Sequence, residues 1–516
     1  MSRPPVPRVK SGVTRLIFTA LSIVLQITAI VVIFMRLNEY AEWIAIGTNL
    51  LAFILILVIY AQDKTSALKM PWIILILVFP IFGLTLYLLI GMSGSSRKMR
   101  KRFEAQDARL MPLIRQDPSI VRALEERDSS VAGVARYLGA CAHYPVYRNT
   151  DVEYFADATE GLEAQIEELR RAEKFIFMEY HAIEDTGSFH RVRDILAQKA
   201  AEGVEVRLFY DDMGSIGFIN TDFVKRMEAL GISCRVFNPF KIMLNVFLNN
   251  RDHRKITVID GRVGFTGGYN IADEYFNITH PYGMWKDTGI KLTGDAVRSL
   301  TITFLEMWNA VNEDDATDAD IARFLPEVRY EAREQGFVLP YADSPMDDEA
   351  VGENVYLSLI EQAQDYCYLC TPYLIITDEM NYALRLARKR GVDVRLITPG
   401  IPDKKPVYKV TRSYYHSLAR DGVRIYEWTP GFCHAKQCAS DDRVALCGTI
   451  NLDYRSFYHH FENACLFAYC DAVTAMKADF EATFAQCEEV TEKYASAQSA
   501  PLRLSQLIMR LFAPLL

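Results

Sequence analysis

The chain has 516 residues, 50% of them hydrophobic and 24% charged, and a net charge of −8 at pH 7. At ~150 residues per domain this is more than one domain, and the balance excludes a disordered or fibrous protein. No global basic excess of the kind nucleic-acid binders carry is present, and ten cysteines are too sparse for a disulfide scaffold.

The N-terminal region holds three apolar runs, Leu16–Met35, Trp43–Ala61 and Met70–Gly91. A helix needs ~20 apolar residues to cross a bilayer, so residues 1–102 read as a membrane region with two or three transmembrane helices (16–35, 43–61, 70–91). Pro80 and Gly83 predict a kink or a re-entrant turn in the third. Basic residues report the cytoplasmic side. Arg3, Arg8, Lys10 and Arg15 precede the runs, and the denser cluster Arg97-Lys98-Met99-Arg100-Lys101-Arg102 follows them directly. The second cluster predicts a multi-pass protein of the cell membrane whose catalytic part is cytoplasmic, and it could also meet anionic headgroups.

The rest of the chain repeats one plan. Gly203-Val-Glu-Val-Arg-Leu208 and Gly391-Val-Asp-Val-Arg-Leu396 each follow a helical stretch that ends in glycine. Gly231–Phe237 and Gly422–Trp428 repeat that match. Alternating helices and strands predict an α/β sandwich in each half. The halves are 103–311, with its motif at 247–274, and 349–500, with its motif at 428–455. An acidic connection, 312–348, joins them and carries a short helix near Asp318–Phe324. The Cys367–Cys370 pair sits in a strand-like run and reads as buried structure. Phe240–Phe247 is apolar and reads as core or as an acyl-chain entrance. Residues 501–516 form an amphipathic tail with a helical stripe of Leu504, Leu507, Ile508, Leu511, Phe512 and Leu515.

The repeat is sharpest around two histidines. Half one has His253-Arg-Lys255-Ile-Thr-Val-Ile-Asp260 and half two has His434-Ala-Lys436-Gln-Cys-Ala-Ser-Asp441. Glycine follows each histidine by 14 residues (Gly267, Gly448) and asparagine by 17 (Asn270, Asn451). In a strand, residues i and i+2 share a face, so each histidine projects with its lysine. Two halves related by a pseudo-two-fold axis would bring both pairs, and both carboxamides, into one cleft. That is a site for phosphate chemistry. An uncharged imidazole can attack phosphorus or carry a proton, while lysine and asparagine stabilise the non-bridging oxygens. Two satisfied core histidines would not explain the repeated lysines and asparagines. Zinc needs three or four His, Cys or carboxylate ligands, and the ammonium groups oppose a dication. His459 and His460, adjacent in a strand, point to opposite faces. No metal or other cofactor is expected.

These residues resemble the phospholipase D superfamily, whose signature is the duplicated H-x-K-x-x-x-x-D motif. Over nearly the whole chain the sequence is similar to the bacterial cardiolipin synthases. Trp72–Gly91, Gly264–Tyr275, Asp343–Tyr356, Thr371–Met380, Pro399–Tyr415 and Gly448–Glu462 carry that similarity. The resemblance implies two phospholipase D-like halves with one active site at their interface. It implies that two phosphatidylglycerol molecules give cardiolipin and glycerol through a phosphatidyl-histidine, without nucleotide or metal. The partners are then phosphatidylglycerol, cardiolipin and the bilayer, with no nucleic acid. The resemblance makes His253 the nucleophile and His434 the acid and base, although the symmetry of the motifs leaves that assignment open. Lys255, Lys436, Asn270 and Asn451 bind phosphate, Asp287 and Glu462 orient the imidazoles, and Asp260 and Asp441 are more structural than chemical. Two departures stand out: Gln437-Cys-Ala-Ser440 where an apolar strand is usual, and Thr-Gly after Asp287. A hydrolase, or a transferase with another alcohol, would share every one of these residues. A catalytically dead membrane scaffold would have no use for both H-x-K pairs.

Overall fold

The structure, a computed structural model, describes residues 42–88, 94–239, 250–312, 321–327 and 329–496, with scattered residues between 21 and 32 and between 504 and 513. The run Phe240–Phe247 lies outside the described residues, as do most of 16–35 and 501–516.

The second apolar run is the helix Glu42–Tyr60, and the third is broken into Ser66–Val78 and Pro80–Leu86. The break falls where the sequence places Pro80, which lacks an N–H and disfavours helical backbone in the residue before it. Gly83 lets the two pieces fold onto each other: a Cβ there would stand 2.7 Å from Ile76 Cα. Among the described residues, no helix is long and apolar enough to cross a membrane. Within the described residues the second run is thus one helix and the third a broken one, and together they form an apolar hairpin. Its outer face is apolar, with Ile46, Leu50, Phe53 and Leu77 all more than half exposed.

Two sheets follow, with one topology repeated. In the first, strands run in the order Thr150–Phe155, Gly289–Gly294, Val263–Gly267, Lys255–Ile259, Phe175–Tyr180, Glu205–Asp211 and Ser233–Phe237. In the second, the order is Phe337–Asp343, His460–Ala468, Val444–Gly448, Gln437–Ser440, Tyr366–Cys370, Asp393–Pro399 and Arg424–Trp428, with Cys487–Glu489 added at the far edge. Strand Phe175–Tyr180 shows how the layers arise. Phe175 and Phe177 face the core around helix Val297–Val311, while Ile176, Met178 and Tyr180 face helices Ala158–Arg170 and Gly187–Ala201. That alternation has the period of a strand buried on both faces.

Two parts of the sequence reading are corrected. Phe337–Asp343, read as connection, is the edge strand of the second sheet, antiparallel to His460–Ala468. Helix Ser129–Cys141, assigned to the first half, sits in a core that draws residues from both halves, helix Val351–Gln362 among them. The short helix near 318–324 is a single 3-10 turn, Ile321–Phe324, within the described residues. Cys367 and Cys370 are buried in their strand, as read.

Candidate active site

Two short parallel ladders stitch the halves together, and they position the site. Arg251 and Asp252, just before His253, pair with His460 and Phe461, just before Glu462. Gly431, Phe432 and Cys433, just before His434, pair with Met284, Trp285 and Lys286, just before Asp287. The backbone N–H of His253 continues the first ladder to Phe461 O (2.8 Å), and that of His434 the second to Lys286 O (2.7 Å). Each register sets a histidine of one half opposite an acid of the other.

The side chains meet accordingly. His253 Nδ1 lies 2.8 Å from Glu462 Oε2, and His434 Nδ1 lies 2.6 Å from Asp287 Oδ2. Asp287 is held ionised and only accepts, so His434 Nδ1–H donates and its Nε2 keeps its lone pair, whereas burial pushes the Glu462 carboxyl well above its usual range. Thr449 Oγ1 donates to Glu462. Its counterpart in the repeat is Gly268, where a Cβ would stand 2.0 Å from Asp287 Oδ1. The shorter acid thus occupies room that a side chain at 268 would fill. Lys255 Nζ donates to His253 O (2.7 Å) and Lys436 Nζ to His434 O (2.5 Å), so each lysine stays beside its histidine.

The two asparagines are both in the site but are not equivalent. Asn270 Oδ1 accepts from Ala182 N–H (3.1 Å), and its Nδ2 donates to Tyr275 Oη (2.8 Å). Asn451 Oδ1 is buried and finds no donor among the described residues. Gln437, the polar departure in the second motif, is explained by its contacts: Oε1 accepts from Tyr154 Oη and from Thr288 Oγ1, each at 2.9 Å. It is a satisfied bridge from half two to half one.

Asp260 and Asp441 are not part of the cleft. Each sits in the left-handed region (φ 54° and 56°) at the turn that ends its motif strand. Asp260 accepts the backbone N–H groups of Glu173, Lys174 and Phe175, and Asp441 those of Gln364, Asp365 and Tyr366. They pin the start of the neighbouring strand in each sheet. Asp260→Ala strands three N–H groups and puts a Cβ-only residue at positive φ, so it costs about 2–4 kcal/mol. Thermal unfolding shows a lowered midpoint, while kcat of the fraction that remains folded is retained. A normal midpoint with lost kcat would return Asp260 to the chemistry.

His253, His434, Asn270 and Asn451 line one cavity of about 500 Å³. Two further histidines line it, and the sequence reading did not count them as functional. The His181 ring lies 4.9 Å from that of His253, edge to face, and His460 lies 5.5 Å on another side. The only signal for His181 was its place at the carboxyl end of a parallel strand, where clefts of α/β sheets form. His253, His460 and Glu462 also place one donor atom each within 4.8 Å. Glu462 is already engaged by His253 and Thr449, and Lys255 adjoins the group.

Burial and neighbouring cations set the protonation. Burial, then Lys255, His181 and His460, hold His253 well below the ordinary imidazole range. Burial and Lys436 bring His434 down to about 4, against the upward pull of Asp287. Despite burial, which pushes it up, Asp287 stays below the usual carboxylate value because His434 and Lys436 face it. Lys255 is lowered by burial and by Lys436 to about 7, and Lys436 by burial to about 8. Both imidazoles are therefore uncharged at neutral pH, whereas the two lysines titrate close to it. The acid limb of kcat/KM then lies below the ordinary imidazole value of ~6.5. The basic limb follows loss of ammonium charge as pH rises through about 7 to 8. Rates on lipid vesicles from pH 4 to 9 test this, and an acid limb at or above ~6.5 contradicts it.

A duplicated α/β unit that pairs histidine and acid across its seam defines the phospholipase D-like class. A family profile described as "Cardiolipin synthase, PLD-like domain" matches residues 165–308 and 356–484. A second, "Phospholipase_D-nuclease N-terminal", matches 50–91. A cardiolipin synthase of Oceanobacillus iheyensis is 32% identical over 89% of this chain and 96% of its own length. One of Geobacillus kaustophilus is 31% identical over 89% and 91%. An uncharacterized protein of Streptococcus mutans is 42% identical over 90% and 99%. The crystal structure of a phosphatidylserine synthase from Haemophilus influenzae shares the fold, with a TM-score of 0.58 over 75% of this chain and 100% of that one, at 14% identity. The chain belongs to the cardiolipin synthase family of phospholipase D-like enzymes.

Proposed function

We propose that this chain joins two phosphatidylglycerol molecules into cardiolipin and glycerol, using both histidines of the seam in turn. It is an enzyme of phosphatidyl transfer, and its product is cardiolipin. The observation that carries the mechanism is the pair of crossed contacts, His253 to Glu462 and His434 to Asp287, opening on one cavity. His253 Nε2 attacks phosphorus while His434, charged with a proton at Nε2 from the Lys436 ammonium 2.9 Å away, passes that proton to the departing glycerol oxygen. The phosphatidyl group is then held on His253. His434 takes the proton back from a headgroup hydroxyl of the second phosphatidylglycerol, whose oxygen displaces His253. Lys255, Lys436 and Asn451 offer positive charge and polarity to the non-bridging oxygens.

The asymmetry of the cleft supports giving the nucleophile's part to His253. Arg251, Arg455, His181 and His460 line the cavity on its side, a setting for a phosphate anion. His434 is the less depressed of the two imidazoles and is backed by an ionised acid, which suits a group that must gain and lose a proton. The exposed apolar helices 42–60, 66–78 and 80–86 support association with a bilayer. The basic start of helix Gly94–Leu110 supports a cytoplasmic catalytic part.

The test supplies phosphatidylglycerol alone, in vesicles, with a chelator and no nucleotide. Cardiolipin and glycerol form in equal amounts. Phosphatidic acid in place of cardiolipin would make the chain a hydrolase.

A further inference from the structure

The two ends of the cleft are chemically unlike. Around His253 the neighbours are cationic or imidazole. Around His434, beyond its partners Asp287 and Lys436, they are aromatic, with the rings of Trp285, Tyr275 and Phe432 at 5.2, 5.3 and 5.7 Å. This end also holds hydrogen-bonding groups without a partner among the described residues. Trp285 is 7% exposed and lines the cavity, yet its Nε1–H finds no acceptor among the described residues. Leaving such a donor buried costs ~1–3 kcal/mol unless something fills it. Tyr275 Oη accepts from Asn270 Nδ2, and its own proton is uncommitted among the described residues. Glu274 also lines the cavity. Burial, Glu184 and Asp403 push that carboxyl up to about 7.

We infer that the His434 end is a polyol subsite. Trp285 Nε1 and Tyr275 Oη donate to the hydroxyls of a glycerol headgroup, Glu274 accepts from them, and the carbon face of the glycerol lies on the Trp285 ring. The inference rests on the phosphatidyl-transfer reading above and names what selects the alcohol. One subsite serves both half-reactions. In the first, the phosphorus–oxygen bond to the donor's glycerol breaks, and His434 supplies the proton that leaves with free glycerol. In the second, a glycerol hydroxyl of the acceptor lipid loses its proton to His434, its oxygen forms a bond to phosphorus, and the bond from phosphorus to His253 Nε2 breaks. The alcohol sits against His434 each time. An organic cation would also suit rings edged by carboxylates. It would leave both N–H and O–H donors unspent, however, and would lie beside Lys436, whose Nζ is 2.9 Å from His434 Nε2.

The experiment is a competition among soluble alcohols. Enzyme in phosphatidylglycerol vesicles receives equal concentrations of isotope-labelled glycerol, 1-propanol and ethanolamine, and the phosphatidyl products are resolved by mass spectrometry. Wild type prefers glycerol over 1-propanol by about ten-fold or more, since a site built for hydroxyls rejects an alcohol that lacks them. Glu274→Gln, which keeps size and shape, and Trp285→Phe, which keeps an aromatic face and removes the N–H, each bring that ratio close to one. Three results overturn the inference: no preference for glycerol in wild type, a preference for ethanolamine, or variants that slow all products with the ratio intact. A wild type that forms neither cardiolipin nor any other phosphatidyl alcohol defeats the phosphatidyl-transfer reading itself, and the subsite with it.

Discussion

Replacing His253 with alanine abolishes cardiolipin formation, lowering turnover by about 10⁴-fold or more, because it removes the atom that holds the phosphatidyl group between half-reactions. His434→Ala is equally dead on the natural lipid but fails at a different step. A lipid phosphodiester with a nitrophenol leaving group separates them, since nitrophenolate departs without a proton. His434→Ala then releases about one nitrophenolate per site and stops, with the phosphatidyl group trapped on His253. His253→Ala releases none. Mass spectrometry of the trapped protein locates the adduct. An adduct on His434 in the His253→Ala enzyme would exchange the two roles while leaving the chemistry in place.

The second large effect concerns the acids, and its direction follows from the crossed seam. Glu462→Gln, a change in half two, slows the nitrophenolate burst that depends on the half-one histidine. Asp287→Asn, in half one, leaves the burst intact and slows breakdown of the adduct by the half-two histidine. Each loss is about 10²–10⁴-fold, the range for removing the carboxylate that fixes an imidazole's tautomer. Gly268→Ala reproduces Asp287→Asn, since the new Cβ collides with Asp287 Oδ1. Melting temperatures near wild type for the Gln and Asn variants show that the effect is on chemistry. If each acid affects only the step run by the histidine of its own half, the crossed assignment is wrong.

Much of the site could be read from the chain because the repeat is local. H-x-K spacing places a lysine beside each histidine in any strand, and the downstream asparagines stand at matching positions in the two halves, while Asp287 and Glu462, at unequal spacings, came from the family resemblance. Pro80 likewise announced the break in the third apolar run. What escaped is what joins distant segments. The pairing of Arg251 with His460 leaves no periodicity in either strand, so His460 looked like one of two adjacent histidines on opposite faces of a strand. His181 and Trp285 carry no motif, and their part in the cleft exists only once the halves meet. Strand Phe337–Asp343 was hidden by the acidic, breaker-rich stretch that precedes it. The single anchoring role shared by Asp260 and Asp441 was suggested by family resemblance. Its cause, three backbone N–H groups held by a residue at positive φ, needed coordinates.

The crossed ladders also say something about ancestry. A single half of this chain contains a histidine and an acid that its own backbone cannot bring together. Two identical halves placed head to head would exchange acids and gain two working dyads at once. A gene encoding one half would therefore have been silent as a monomer and active only as a symmetric pair, its output rising with the square of its concentration. Fusing two copies removed that dependence, because tethering replaces encounter with a high effective concentration. It also freed the copies to differ, so one end could become a ring of cations and the other a wall of aromatic side chains. Symmetric pairs cannot make such a distinction, and a reaction that treats its donor and its acceptor differently requires it.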